Sequence, residues 1–233
     1  MWGASIRRLG EPKTPDPETR YDQLMLIDRA GWPFILGAVL VAIAIGFWLG
    51  RAWSVPFLVL AAFFLFFFRD PDRHPPKGAN LVLSPADARV MVAGETVWPG
   101  APAGDWQVIS MFLSPIDVHV NRTPVGGTVR RVEYHPGKFL PAYKKEAGEL
   151  NEWTEVWLDR PGGPVVVRQI VGILARRIVC RLTEGEQVVA GQRFGVMKFG
   201  SRIDLFIPRT ATIQVKAGDK VVGGETTLAT LAQ

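Results

Sequence analysis

Two charge-free apolar runs lie almost end to end near the start of this 233-residue chain, and they limit its fold more than any other feature. Residues 31–50 read GWPFILGAVLVAIAIGFWLG and residues 52–68 read AWSVPFLVLAAFFLFFF, with only Arg51 between them. A hydrocarbon core takes roughly 17–25 helical residues to cross. Apolar residues cover every face of both runs, which argues against a hairpin in a soluble core. The pattern predicts a tight transmembrane helical hairpin over residues 31–69 that returns both flanks to one side. Arg7, Arg8, Lys13, Arg20 and Arg29 precede it, and Arg69, Arg73 and Lys77 follow. By the positive-inside rule that side is the cytoplasm, at the inner membrane of the cell. Trp32, Trp48 and Trp53 fall near the ends, where indole rings favour the interface. A signal peptide does not fit, because the apolar stretch begins late and a second follows at once. Residues 1–30 are left as a polar cytoplasmic segment.

Beyond residue 80 the pattern changes to short β-type runs punctuated by Gly and Pro. Residues 90–92, 107–113, 128–134, 165–171 and 178–182 are examples, and no long amphipathic helix appears. This predicts a mostly-β domain over residues 70–233, a single β-sandwich or barrel-like unit. Residues 140–152 (LPAYKKEAGELNE) stand out as a mobile or briefly helical insert. Residues 184–192 (EGEQVVAGQ) and 217–225 (AGDKVVGGE) share the pattern x-Gly-acid-x-Val-Val-x-Gly-polar. Glycines for tight turns and valine pairs for strands suggest one pseudo-symmetric half, which resembles the biotinyl and lipoyl carrier domains.

The formal charge of +5 suits an anionic partner, and the apolar runs favour lipid over nucleic acid. The basic residues are dispersed and no base-stacking motif accompanies them. A single cysteine, Cys180, excludes an internal disulfide and a thiolate metal cluster; it reads as a small hydrophobe in a strand. No metal site is expected.

Five segments carry the chemistry, in order: Phe67-Phe68-Arg69-Asp70-Pro71-Asp72-Arg73; Ser84-Pro85-Ala86-Asp87; Phe112-Leu113-Ser114-Pro115-Ile116-Asp117-Val118-His119-Val120-Asn121-Arg122; Tyr134-His135-Pro136-Gly137-Lys138-Phe139; and Phe199-Gly200-Ser201-Arg202. In order and spacing they resemble the short bacterial members of the phosphatidylserine decarboxylase family, from about residue 65 to the end. The resemblance implies a pyruvoyl-dependent lyase of phospholipid biosynthesis, made as a zymogen. It would convert phosphatidylserine to phosphatidylethanolamine and CO2 at the membrane. The implied cofactor is a pyruvoyl group derived from Ser201, whose ketone serves as the electron sink that pyridoxal phosphate supplies elsewhere.

Making that group requires cleavage between Gly200 and Ser201. Gly200 leaves its carbonyl uncrowded, and Ser201 Oγ attacks it to turn amide into ester. Elimination and hydrolysis then yield chains 1–200 and 201–233, which stay associated, and ammonia. A serine needs a base to become a nucleophile. Within the resemblance His119 is that base, and Asp87 orients it in the manner of a hydrolase triad. His135, Lys138, Arg122 and Arg202 are the candidates to bind the substrate headgroup and its phosphate. His74, between Arg73 and Pro75, reads as interfacial.

The chain departs from larger family members in three places. It has Phe199-Gly200-Ser201-Arg202 for Leu-Gly-Ser-Thr, Arg122 for a second histidine three residues after the first, and Ala88 for the Gly after Ser-Pro-Ala-Asp. Without a second histidine, His119 would serve both cleavage and decarboxylation. Three alternatives stand beside this reading, one of them a non-catalytic membrane scaffold that kept the fold. Val196-Met197-Lys198-Phe199 resembles the acceptor hairpin of a biotinyl or lipoyl carrier, with Lys198 modified. A serine headgroup of archaetidylserine type is the third.

Overall fold

A computed structural model describes residues 26–173, 177–198 and 201–232. The polar N-terminal segment up to residue 25, with Arg7, Arg8, Lys13 and Arg20, and the residues Phe199 and Gly200 lie outside those described.

Arg29–Trp48 is 20 residues long and apolar enough to cross a membrane by length and composition. Asp28 caps its opening turn by accepting from the Ala30 amide at 2.8 Å. Its α-helical part, α1 (Trp32–Trp48), carries Pro33 in the first turn, where no backbone donor is missed. Gly50, at φ 102°, turns the chain, and α2 (Arg51–Phe67) runs back. Arg51, read from the sequence as a separator, is therefore the first residue of α2. The two helices are antiparallel: Phe34 meets Phe64 at one end, with ring centroids 5.4 Å apart, and Gly46 faces Ser54 at the other. At 17 residues α2 is about 25 Å long, the shorter arm of the pair. Leu36, Leu40, Ile43, Phe47, Leu58 and Val59 point outward and are exposed.

The base of this pair is fastened to the rest of the protein. The Asp28 amide donates to Phe68 O at 2.8 Å and the Asp70 amide to Leu26 O at 2.7 Å. Phe67 and Phe68 are fully buried against Val196, with Phe34, Phe64 and Val179 around them.

The remainder is mostly β. In chain order the strands are β1 (Leu81–Leu83), β2 (Ala88–Glu95), β3 (Trp106–Leu113), β4 (Val120–Arg122), β5 (Gly127–His135), β6 (Trp153–Asp159) and β7 (Val165–Val171). They continue as β8 (Ile178–Cys180), β9 (Gln187–Val188), β10 (Arg193–Met197), β11 (Ser201–Pro208), β12 (Thr212–Ile213), β13 (Lys220–Val221) and β14 (Thr227–Thr230). The insert at 140–152 holds one short helix, α3 (Ala147–Leu150). An eight-stranded sheet has the order β13-β2-β3-β11-β7-β6-β5-β9, and two three-stranded sheets have the orders β1-β14-β12 and β4-β10-β8. The barrel alternative is corrected here, because the sheet ends β13 and β9 do not pair with each other and the three sheets stay separate. Ser84-Pro85 and Thr123-Pro124 mark the breaks. At each, the chain leaves a small sheet (β1 or β4) and enters the large one (β2 or β5), at a proline with no amide to donate.

The repeat read in the sequence makes corresponding backbone bonds. Gly218 donates to Val90 O and Gly185 to Val129 O; Gly224 donates to Ser84 O and Gly191 to Thr123 O. Leu83 N bonds Pro124 O while Arg122 N bonds Pro85 O, both at 2.8 Å. Gly185 and Gly218 hold φ of 83° and 95°, the left-handed region that favours glycine in these turns.

Side chains alternate across the large sheet. On one face Ile109, Met111, Ile203, Leu205 and Val167 form the main core beneath residues of the small sheets such as Val82, Phe194, Met197 and Leu228. The opposite face carries Trp98, Trp106, Trp157 and Phe206. Between these aromatics runs a buried polar row, Ser110, Asp204, Arg168 and Glu155, contributed by four neighbouring strands.

Candidate active site

Ser201 is the first residue of β11, a central strand, with Leu113 opposite on β3 and Val171 opposite on β7. The alternation that sends Ile203 and Leu205 into the main core sends Ser201 there too. It is fully buried, and its Oγ makes no hydrogen bond among the described residues. Arg202 points through the sheet to the opposite face.

His119 precedes β4 and is also fully buried. Its ring lies against Phe67, the last residue of α2, with centroids 4.2 Å apart at 30°. Nδ1 sits 2.9 Å from the Asp117 carbonyl oxygen. A carbonyl only accepts, so Nδ1 carries the proton and Nε2 is the basic nitrogen of the neutral ring. Burial, aided by the Arg69 charge and opposed by the Asp117 hydrogen bond, lowers the His119 pKa to about 4. The ring is therefore neutral, and able to accept a proton, throughout the physiological range.

His119 and Asn121 alternate onto the same side of their strand. Asn121 Oδ1 accepts from Gln169 Nε2 at 2.6 Å, a bond between β4 in a small sheet and β7 in the large one. Gln169 stands opposite Ile203 on β11, two residues along from Ser201 and on its face of the sheet. The Asn121–Gln169 bond thus joins β4, the strand that follows His119, to β7, the strand beside Ser201, across the space between the sheets. Asn121 and Gln169 were not singled out from the sequence. Their signals were the period-2 relation of Asn121 to His119 and a lone amide in the apolar run VVVRQIV.

Other expected site residues stand elsewhere. Asp87 is engaged by other groups. Both of its oxygens accept from Arg73 Nη2, at 2.8 and 3.0 Å, and Oδ1 also accepts from the Gly223 amide. The Asp117 carbonyl holds the imidazole at Nδ1. Arg122 is buried on Asp70 at 2.7 Å and donates to the carbonyls of Gly191 and Pro71. With Arg193, which also pairs with Asp70, it ties the exit of α2 to the β structure. Arg202 is fully buried, bonded through Nε and Nη2 to Asp204 and through Nη1 to the Lys144 carbonyl. Both guanidinium groups are consumed by internal partners, which corrects their reading as phosphate ligands. His135 and Lys138 are exposed, with the His135 ring stacked 4.2 Å from that of Trp153. His74 is exposed beside Glu225. Lys198 is half-buried with Nζ 4.8 Å from the centre of the Phe34 ring, and loss of water lowers its pKa. A carrier lysine must reach out to visit other sites, whereas this one lies against the base of α1. Cys180 packs at the edge of the main core, and burial pushes its thiol up.

The His119 pKa has a measurable consequence. In the unfolded chain the imidazole titrates near 6.5, and in the folded protein at about 4. As pH falls through that window the unfolded state takes up the proton first, so stability declines from pH 6.5 to 4 by about 3 kcal/mol from this group. Any reaction that uses His119 as base should keep its rate from pH 8 to 5 and lose half of it only near 4. Stopped time courses at each pH check this, and an inflection near 6.5 would mean a solvated histidine.

The chain matches the family model for phosphatidylserine decarboxylase over residues 60–229. The phosphatidylserine decarboxylase proenzyme of Nitrosomonas europaea is 42% identical over 212 residues, covering 91% of this chain and 98% of the relative. The one of Ralstonia nicotianae is 43% identical over 207 residues, 88% of this chain and 96% of its own. That of Symbiobacterium thermophilum is 42% identical over 209 residues, 89% and 97% respectively.

Proposed function

The chain belongs to the phosphatidylserine decarboxylase family, and on that premise we propose that it cleaves itself between Gly200 and Ser201 and then converts phosphatidylserine to phosphatidylethanolamine. The enzyme is a decarboxylase. One observation carries the self-cleavage reading: a serine hydroxyl, buried and without a partner among the described residues, at the first position of a central strand. Burying a hydroxyl unpaired costs about 1–3 kcal/mol, and such a group calls for an explanation that packing does not give. A nucleophile held in place for an intramolecular attack is one. That the relatives are known as proenzymes supports the same reading.

His119 accepts the Ser201 proton at Nε2 as Oγ adds to the preceding carbonyl, and the Asp117 carbonyl keeps the ring in the tautomer this needs. A neutral imidazole in a dry site is ready to do so at any pH above about 5. The residues fit a pyruvoyl group formed in place from Ser201, which supplies an electron sink for the pair left when CO2 departs. With no second histidine in the motif, His119 is also the candidate to take up a proton and pass it to the decarboxylated carbon. Exposed His135 and Lys138 are the candidates to meet the headgroup.

In this reading the helix pair lies in the bilayer, which its outward apolar side chains support, and the β domain lies against the cytoplasmic face. Because Phe67 touches His119, the reaction takes place directly beneath the membrane helices. A lipid then need not expose its acyl chains to water, at about 0.8 kcal/mol per methylene.

The test is denaturing mass spectrometry of the purified protein, with activity measured on phosphatidylserine vesicles and on archaetidylserine vesicles. Chains 1–200 and 201–233, the second bearing an N-terminal pyruvoyl, together with release of CO2 are expected. A full-length chain that still decarboxylates would overturn the mechanism. The vesicle comparison separates the two headgroup lipids.

A further inference from the structure

Two buried amides beside Ser201 are half-used. Asn121 and Gln169 are both fully buried and share a single hydrogen bond, from Gln169 Nε2 to Asn121 Oδ1. Asn121 Nδ2 and Gln169 Oε1 have no partner among the described residues. Each side chain carries one NH2 and one carbonyl, so one shared bond leaves one donor group and one acceptor unfilled, whichever way the amide planes are turned. Leaving them so costs about 1–3 kcal/mol each. Apolar residues of the same shape would avoid that cost, and the surrounding core is otherwise apolar.

Their location gives the unfilled groups a use. Gln169 stands on the strand next to Ser201, on the same face, and the diagonal spacing of about 7 Å between such Cβ atoms is within reach of a long side chain. Asn121 stands two residues from His119 on the opposing sheet. Gly195 lies between them on β10; a Cβ there would meet Gln169 Nε2 at 3.1 Å and the Val179 carbonyl at 2.3 Å, so only glycine lets the amides meet over this strand. The unfilled donor and acceptor thus lie buried on the strand beside the nucleophile and on the strand that follows its base.

We propose that Asn121 and Gln169 form a donor–acceptor pair that serves the acyl shift at Ser201, an inference that rests on self-cleavage at that residue. Ser201 Oγ bonds to the preceding carbonyl carbon while its proton passes to His119 Nε2. The carbonyl oxygen becomes negative, and the free amide NH2 donates to it. The bond from that carbon to the Ser201 nitrogen then breaks, and the proton moves from His119 to the nitrogen, leaving an ester and a free amine. The free amide carbonyl accepts a hydrogen bond from that amine and slows its return. A preset donor in a dry site is effective because it needs no reorganisation as the charge develops.

The test uses the near-isosteric double variant Asn121→Leu/Gln169→Met in the full-length chain, made by cell-free synthesis into nanodiscs. Appearance of chain 201–233 is followed by denaturing mass spectrometry, and melting temperature is compared in the Ser201→Ala background, where no chain is cut. Cleavage slowed about 100-fold or more, with melting unchanged or raised, is the expected result. A purely structural amide pair predicts normal cleavage, and cleavage within twofold of wild type in the folded double variant overturns the proposal. If the double variant does not fold, Gln169→Glu repeats the test with shape and one acceptor retained; slowed cleavage is expected, and an unchanged rate overturns the proposal. Wild-type protein that never cleaves refutes the self-cleavage reading itself, a result distinct from either.

Discussion

Ser201→Ala is expected to leave one intact 233-residue chain, with no decarboxylation of phosphatidylserine above background and no loss of stability. The last clause separates chemistry from folding. Ser201 Oγ is buried without a hydrogen bond among the described residues, so its removal breaks none and relieves an unmet desolvation. Mutational experience puts that relief at about 1–3 kcal/mol, and the methyl group of alanine suits the neighbouring Leu113 and Val171. The variant should therefore melt at or slightly above the temperature of an uncleaved wild-type chain. Intact mass, a melting curve and a CO2-release assay on one preparation check all three claims. A variant that is uncleaved and also strongly destabilised would show that the hydroxyl has a structural partner.

Asp204→Ala is expected to cause the largest loss of stability of any single truncation in the β structure. Asp204 is fully buried and accepts from the Trp98 indole at 2.9 Å, the Ser110 hydroxyl at 2.6 Å and Arg202 at 2.6 and 2.8 Å. Alanine leaves a buried guanidinium without its counter-charge and strips partners from two more polar groups. Breaking a buried pair from one side costs about 3–5 kcal/mol. The damage spreads, because Arg202 also holds the Lys144 carbonyl and leaves room only for glycine at 148, where a Cβ would fall 2.2 Å from Nη2. For a chain of this size the melting temperature should drop by about 10 °C or more. Arg202→Met/Asp204→Leu, which removes both charges, should be much milder. Equal losses in the two variants would mean that packing, not the orphaned charge, sets the cost.

What the sequence revealed and what it concealed divide along the distance between partners. The apolar runs became α1 and α2 because a continuous stretch without charges is a local fact. Residues 165–171 were marked as a strand by their own β-branched side chains, and β7 has those bounds. Residues 107–113 gave β3 to within one residue for the same reason. Arg202 was misread because nothing in its neighbourhood announces Asp204, Ala142 and Lys144 as a closed shell; a charge beside a serine looks solvated until the opposite face of the sheet is known. Asp87 looked like a triad member for the same reason, since Arg73 and the Gly223 amide reach it from distant turns. The Asn121–Gln169 bond joins residues 48 apart and was invisible for want of the sheet order.

That sheet order also decides what a cut before Ser201 would do to the molecule as a folding system. Chain 201–233 would own β11, which lies between β3 and β7, and β14, which lies between β1 and β12, while its β13 edges the large sheet beside β2. Every strand pairing it makes in the large sheet, and the β1–β14 pairing in a small one, is with the longer chain. Departure would require unzipping two sheets at once, so the mature enzyme would behave as one body. Once denatured, however, its two pieces would have to find each other by diffusion, where the precursor needs only to close a loop. Maturation would thus exchange a reversible, unimolecular fold for one whose persistence rests on the barrier to unfolding.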